Sequence, residues 1–105
     1  MSEFLIDETI DCLRPVLPPG SRLIVFGSHA RGDARENSDL DLLVIEPEVV
    51  DRAAETVRLA TLLGRRLVPA DIVVMSLAAF ETQRTVPNTL AFRVAHEGRV
   101  LELAG

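Results

Sequence analysis

Apolar residues fall along this chain in two rhythms, and the switches between them predict its elements. Over residues 3–17, Ile6, Ile10, Leu13 and Leu17 return at helical spacing, while Asp7, Glu8 and Asp11 lie elsewhere on the wheel. Ser2 stands where an N-cap belongs, and Pro18-Pro19-Gly20 ends the helix. Arg22–Phe26 carries an unbroken apolar run, the pattern of a strand buried on both faces, and Leu40–Ile45, ended by Glu46-Pro47, reads as a second buried strand. Residues 49–66 predict a long helix with Val50, Ala53, Ala54, Val57, Ala60 and Thr61 on its packed face. Asp51, Arg52, Glu55, Arg58 and Arg65 largely supply its wet face. Val68–Met75 reads as a third strand, with Pro69 near its start and Asp71 ahead of Ile72-Val73-Val74. Ser76 is expected to cap a short helix through Glu81. Asn88–His96 predicts another helix, stopped by Gly98, and Arg99–Leu103 a short last strand.

These elements predict an α+β (mixed α/β) fold, a small mixed sheet packed against helices. The unit from Leu40 to Met75 should form a right-handed parallel crossover, because strand, helix and parallel strand connect that way. The first two strands, joined by a shorter loop, are expected to run antiparallel. The end of the first strand, Gly27-Ser28, then meets the starts of the second and third at one edge of the sheet. That edge collects Asp39, Asp41 and Asp71 beside a Gly-Ser turn.

Composition narrows what such an edge can do. A chain of 105 residues, 48% of them hydrophobic, predicts one folded domain over 1–105 with a real core. No apolar run approaches the roughly 20 residues that span a bilayer, so no membrane association is expected. The acidic, amphipathic N-terminus is the opposite of a signal peptide, and the lone Cys12 suits a reducing compartment, which together predict a cytoplasmic protein. Sixteen acids against eleven bases give a net charge of −5, and four Phe are the only aromatics beside two His. Phosphate neutralisation and base stacking are both poorly served, so direct nucleic-acid binding is disfavoured.

Strand side chains alternate, so Asp39 and Asp41 share a face roughly 7 Å apart at Cα. Carboxylates so placed suit hard divalent cations, and two ions about 3.5–4 Å apart can clamp the oxygens of an in-line displacement at phosphorus. Ser38 could order the loop or a metal-bound water. Gly27 lets backbone approach a ligand, and Ser28 is expected to cap a short helix through Ala30-Arg31, whose N–H groups favour a phosphate. Arg31 is the charged partner for that phosphate. Asp71 could complete a metal site or take the proton from an attacking hydroxyl. His29 and His96 lack metal-ligand spacing, and Asp33, Arg35 and Glu36 read as solvated loop charges.

The stretch Gly27-Ser28-His29-Ala30-Arg31-Gly32-Asp33 followed by Ser38-Asp39-Leu40-Asp41-Leu42 resembles the DNA polymerase beta-like nucleotidyltransferase superfamily. Its pattern is a Gly-Ser turn, about ten intervening residues, Asp-x-Asp on a strand, and a third carboxylate on a later strand, here Asp71. Within that superfamily the chain is most similar to minimal, prokaryotic MNT-type proteins, including the closing Arg93-Val94-Ala95-His96-Glu97-Gly98-Arg99-Val100-Leu101. The resemblance implies a nucleotidyltransferase fold, Mg²⁺ in two sites, and ATP as nucleotide donor. It also implies a hetero-oligomeric partner, a HEPN-type toxin whose tyrosine receives AMP, with this chain as antitoxin. Asp39 and Asp41 would hold the metals, with Asp71 as third ligand or base, while Gly27, Ser28 and Arg31 would hold the triphosphate. About thirty residues follow the third strand, too few for a second core, so a protein acceptor is expected to complete the cleft. Two alternatives stand beside this: nucleotidyl transfer to a small molecule, and a non-catalytic module that neutralises its partner by occlusion.

Overall fold

The computed structural model describes residues 2–34, 39–101 and 103. Ser38, expected to order the loop before Asp39, lies outside the described residues, as do Arg35 and Glu36. The first helix, α1 (Ser2–Leu13), passes into a 3₁₀ turn over Arg14–Val16. It therefore ends earlier than the expected residue 17. Pro15 is the reason, since its ring clashes with the preceding turn and it has no N–H to continue the α ladder.

Strands β1 (Arg22–Phe26), β2 (Leu40–Glu46), β3 (Ala70–Ser76) and β4 (Arg99–Leu101) form one sheet in the order β3-β2-β1-β4. β1 runs antiparallel to both β2 and β4, and β2 runs parallel to β3, so the sheet is mixed as the connection lengths imply. Both faces are covered. Leu23, Val25, Leu40, Leu42, Val44 and Val74 point towards α1 and α3 (Arg52–Arg65). Ile24, Phe26, Leu43, Ile45 and Met75 point towards α4 (Leu77–Gln83) and α5 (Leu90–Glu97). That double burial is what the unbroken apolar runs of β1 and β2 record. Ser76 caps α4 by accepting from the Ala79 N–H at 3.1 Å, as its position predicts. Among the described residues, no helix is long and apolar enough to cross a membrane.

One face is reversed from expectation. In α3 the buried side chains are Leu59 and Leu63, with Leu62 packed beside them, while Val57 is 64% exposed and Ala53, Ala54, Ala60 and Thr61, like Val50 ahead of the helix, are also exposed. Both arcs of this helix are apolar at helical spacing. The leucines win because burial free energy follows area, at about 25 cal/mol per Å², and alanines offer little of it.

At the far end of β2 from Asp41, Glu46 is only 4% exposed. Burial pushes its carboxyl up to about 7, helped by a hydrogen bond to the Glu55 carboxylate and by that charge. Glu55 is held at about 2, first by the Arg58 guanidinium, which donates to it at 2.8 and 2.7 Å, and then by Glu46. Arg58 also donates to the Val16 carbonyl at 3.2 Å, tying α3 to the turn after α1.

Candidate active site

The site grows from strand register. Asp41 is the second residue of β2, opposite Phe26 on β1 and opposite Asp71 on β3. All three belong to the face that α4 and α5 cover, since Asp41 alternates with Leu43 and Ile45, and Asp71 with Val73 and Met75. Asp39, two residues earlier, shares this side of the pleat. Three carboxylates and the end of β1 thus stand at one edge of the sheet.

Their mutual field is visible at Asp41. Burial pushes its carboxyl above the usual carboxylate range, and the Asp71 and Asp39 charges push the same way. Arg93 and the half-buried His29 oppose the rise. Between β1 and α2 (Ser28–Arg31), Gly27 takes φ 71° and ψ −148°, a region that side chains disfavour. A Cβ at Gly27 would overlap the Asp41 Oδ2 and lie 3.2 Å from its Cγ. Gly27 is therefore needed for the protein's own carboxylate to lie against the turn. Its expected use, room for a ligand, is the smaller part of what the backbone shows.

Gly27 also occupies the N-cap position of α2 and makes no side-chain cap; Ser28 is the first helical residue, not the cap expected of it. The turn is fastened by backbone instead, with the Arg31 N–H donating to the Gly27 carbonyl and the Asp33 N–H to the Ser28 carbonyl, both at 3.0 Å. Gly32, at φ 81°, ends the helix. Arg31 does not stand alone: its Nε meets Asp33 Oδ2 at 3.4 Å, and its Nη1 meets Glu97 Oε1 at 3.6 Å.

Two residues of this neighbourhood lie in the closing stretch Arg93–Leu101 that resembles MNT-type proteins, but the sequence assigns them no site role. Arg93 on α5 lies with its guanidinium carbon 5.4 Å from the centroid of the Phe26 ring, the cross-strand neighbour of Asp41. Its Nε also meets Glu97 Oε1 at 3.3 Å. The sequence signal was slight: an Arg and a Glu at i,i+4 within the closing helix, which usually denotes a solvated pair. Beside them runs a groove of about 580 Å³ lined by Thr89, Phe92, Arg93, His96 and Glu97, among others.

The donor chemistry at the carboxylate edge is all oxygen, and the strain at Asp41 is of the kind a cation relieves. Among the described residues, however, no three His, Cys, Asp or Glu side chains converge closely enough to form a ready-made metal cage. Mg²⁺ rarely uses such a cage; it takes one or two carboxylates and completes its shell with water and substrate phosphates. The residues fit an open Mg²⁺ site of that type and not a closed structural one.

A mixed sheet flanked by helices, with carboxylates and a Gly-Ser turn at one edge, defines a class built for phosphoryl chemistry. Family comparison makes the class specific. The chain belongs to the nucleotidyltransferase domain family, whose sequence profile matches residues 6–99. A search of curated proteins returned no match. Among solved structures, the chain is similar to a toxin–antitoxin complex with AMP-PNP, at 25% identity, covering 95% of this chain and 73% of that one, with a TM-score of 0.66. It shares its fold with a chain of the tri-AMPylated Shewanella oneidensis HEPN toxin in complex with MNT antitoxin, at 22% identity, 100% and 73% coverage and TM-score 0.63. A MntA-HpeT toxin–antitoxin complex bearing two aspartate-to-glutamate substitutions is similar at 23% identity, 95% and 73% coverage and TM-score 0.65.

Proposed function

We propose that this nucleotidyltransferase moves AMP from ATP to a tyrosine hydroxyl of a HEPN-type toxin and acts as that toxin's antitoxin. The observation that carries the reading is the placement of Asp41 beside Asp71 and against the Gly27 turn, with Asp39 on the same side. The partner and the nucleotide are suggested by the similar structures, which are toxin–antitoxin complexes, one with AMP-PNP and one with an AMPylated toxin.

In this reading Asp39 and Asp41 would hold Mg²⁺, with Asp71 as a further ligand or as base. When bound, the metal supplies charge neutralisation at the phosphates and orientation of the attacking and leaving oxygens. Gly27 and Ser28 present backbone and hydroxyl to the triphosphate, and Arg31 and Arg93 supply positive charge at its flank. The tyrosine oxygen attacks the α-phosphorus and the bond to the bridging oxygen breaks. Pyrophosphate leaves, and the hydroxyl proton passes to Asp71 or to water. Phe26 and α5 wall one side of the edge, which keeps the Asp41 carboxylate poorly hydrated and raises the weight of every charge near it.

The test is to incubate the protein with its neighbouring-gene product, Mg²⁺ and α-labelled ATP. Label should appear on the partner and vanish with Asp39→Asn/Asp41→Asn. Absence of label with the wild type, or undiminished label with the double variant, would overturn the reading. Full neutralisation of the partner by the unlabelling variant would assign the antitoxin effect to occlusion instead.

A further inference from the structure

Among the described residues near the site, Glu97 is the carboxylate that meets two cationic side chains from different elements. Arg31 reaches it from the end of α2 and Arg93 from its own helix, α5, at 3.6 and 3.3 Å, both on the same oxygen, Oε1. That oxygen is shielded from solvent yet makes no hydrogen bond of acceptable geometry. Ion pairs this long, between guanidinium groups about half exposed, are weakly held. An arginine fork is shaped for two parallel bonds to a carboxylate or phosphate, and here neither fork is used that way.

The arginines are nevertheless well placed. Gly98 lets α5 dock closely on β1: a Cβ there would lie 2.5 Å from both the Ile24 Cγ2 and the Val94 carbonyl oxygen. This brings Arg93 over the Phe26 ring, which anchors the guanidinium while its Nε meets the Glu97 carboxylate. The Arg93 charge is felt at Asp41, so Arg93 borders the carboxylate edge, and Glu97 links it to Arg31 at the end of α2. Asp33 also meets Arg31, at 3.4 Å, but is more exposed and has no contact with Arg93 among the described residues.

We propose that Arg31 and Arg93 form a two-guanidinium site for the polyphosphate of the donor nucleotide, and that Glu97 occupies it as a built-in carboxylate until the polyphosphate arrives. The proposal rests on the reading of the chain as a nucleotide-using transferase and adds an internal competitor to it. Glu97 is then a positioning residue with a cost: it keeps two like charges together in the empty protein and must be displaced by the substrate.

The probe is inorganic tripolyphosphate, which lacks base and ribose, titrated calorimetrically at low ionic strength without Mg²⁺ or partner. Removing the competing charge with Glu97→Gln should tighten binding by about threefold, within the range for partly exposed charge pairs. Arg93→Gln should weaken it by about fivefold on the same scale, and Glu97→Gln should then tighten it by less than in the wild type, because only Arg31 is left to be released. Glu8→Gln removes the same charge from α1, across the sheet, where Glu8 pairs with Arg66, and should leave binding unchanged. In the wild type, the Nε–H resonances of Arg31 and Arg93 should both shift as tripolyphosphate is added. The proposal is overturned by Glu97→Gln binding no tighter than wild type, by Glu8→Gln tightening equally, or by arginine resonances that stay still. Because no nucleotide is transferred in this experiment, its failure is distinct from an absence of labelled partner in the transfer assay.

Discussion

Gly27→Ala tests the geometry of the site at its tightest point. The glycine backbone, at φ 71° and ψ −148°, lies in a region that only glycine adopts freely, and a non-glycine residue there costs about 1–3 kcal/mol. The new methyl group would also overlap Asp41 Oδ2. A carboxylate can rotate away from a methyl, so the overlap is relieved at the expense of Asp41's position and adds little to the loss of stability. We expect the urea midpoint to report a loss of about 2 kcal/mol, or a fall in Tm of about 10 °C for a domain of this size. Transfer to the partner should fall about 100-fold, the scale of a misplacement of about 1 Å. The two effects separate in a double-mutant cycle. Asp41→Ala removes the overlap and leaves the backbone strain, so Gly27→Ala should remain destabilising in that background while any part due to the carboxylate disappears. A Gly27→Ala protein within about 0.5 kcal/mol of wild type, or one that transfers AMP at half the normal rate or better, would refute the argument.

Asp71→Asn should abolish transfer yet raise the metal-free Tm by a few degrees, since like charges directly opposite on neighbouring strands cost about 0.2–1 kcal/mol; calorimetry in EDTA reads it, and a lowered Tm counts against the pairing with Asp41. Leu59→Ala should cost about 2–4 kcal/mol while Val57→Gln stays within about 0.5, and urea midpoints in the opposite order would restore the rejected face of α3. The Glu46 carboxyl, raised to about 7 when folded, binds its proton more tightly in the native state than in the unfolded chain. Its contribution is therefore complete below about pH 4.5 and is lost as pH rises through about 7. Glu55, lowered to about 2, works the other way: its contribution is present above about pH 4.5 and lost as pH falls towards 2. Glu46→Gln should flatten the decline in stability between pH 5 and 8 by about 1–3 kcal/mol, measured by urea unfolding across that range, and an unchanged slope would remove Glu46 as its source.

What was legible in the chain had a local cause. β1 and β2 announce themselves because both faces are buried, so Leu23–Phe26 and Leu42–Ile45 are apolar throughout, and no tertiary knowledge is needed to see it. The parallel pairing of β2 with β3 follows from the helix-length connection between them. The packed face of α3 was misread because periodicity counts positions and not areas. Val50, Ala53, Val57 and Ala60 repeat as regularly as Leu59 and Leu63, and only the size of the side chains separates the arcs. The early end of α1 was readable from Pro15, but the stronger Pro18-Pro19-Gly20 signal lay just beyond it.

The site divides along the same line. Gly27, Asp39 and Asp41 are close in sequence and bound to one turn and one strand, so their spacing carries their geometry. Asp71 needed one inference about topology, which the register of β2 against β3 bears out in placement. Arg93 and Glu97 needed α5 to dock across β1, a contact between distant parts of the chain set by Gly98, Ile24 and Val94, and spacing alone could not supply it. This division has a functional sense. On the proposed function the carboxylates would keep fixed mutual distances to handle metal and phosphorus, which one edge of the sheet, where β2 meets β3, provides. The arginines must first hold a protein carboxylate and then release it, which is easier for side chains on a separate helix, held by long ion pairs and one stacked ring. A rigid acidic edge faced by an adjustable cationic flank is the arrangement expected where a polyanion has to enter beside aspartates that repel it.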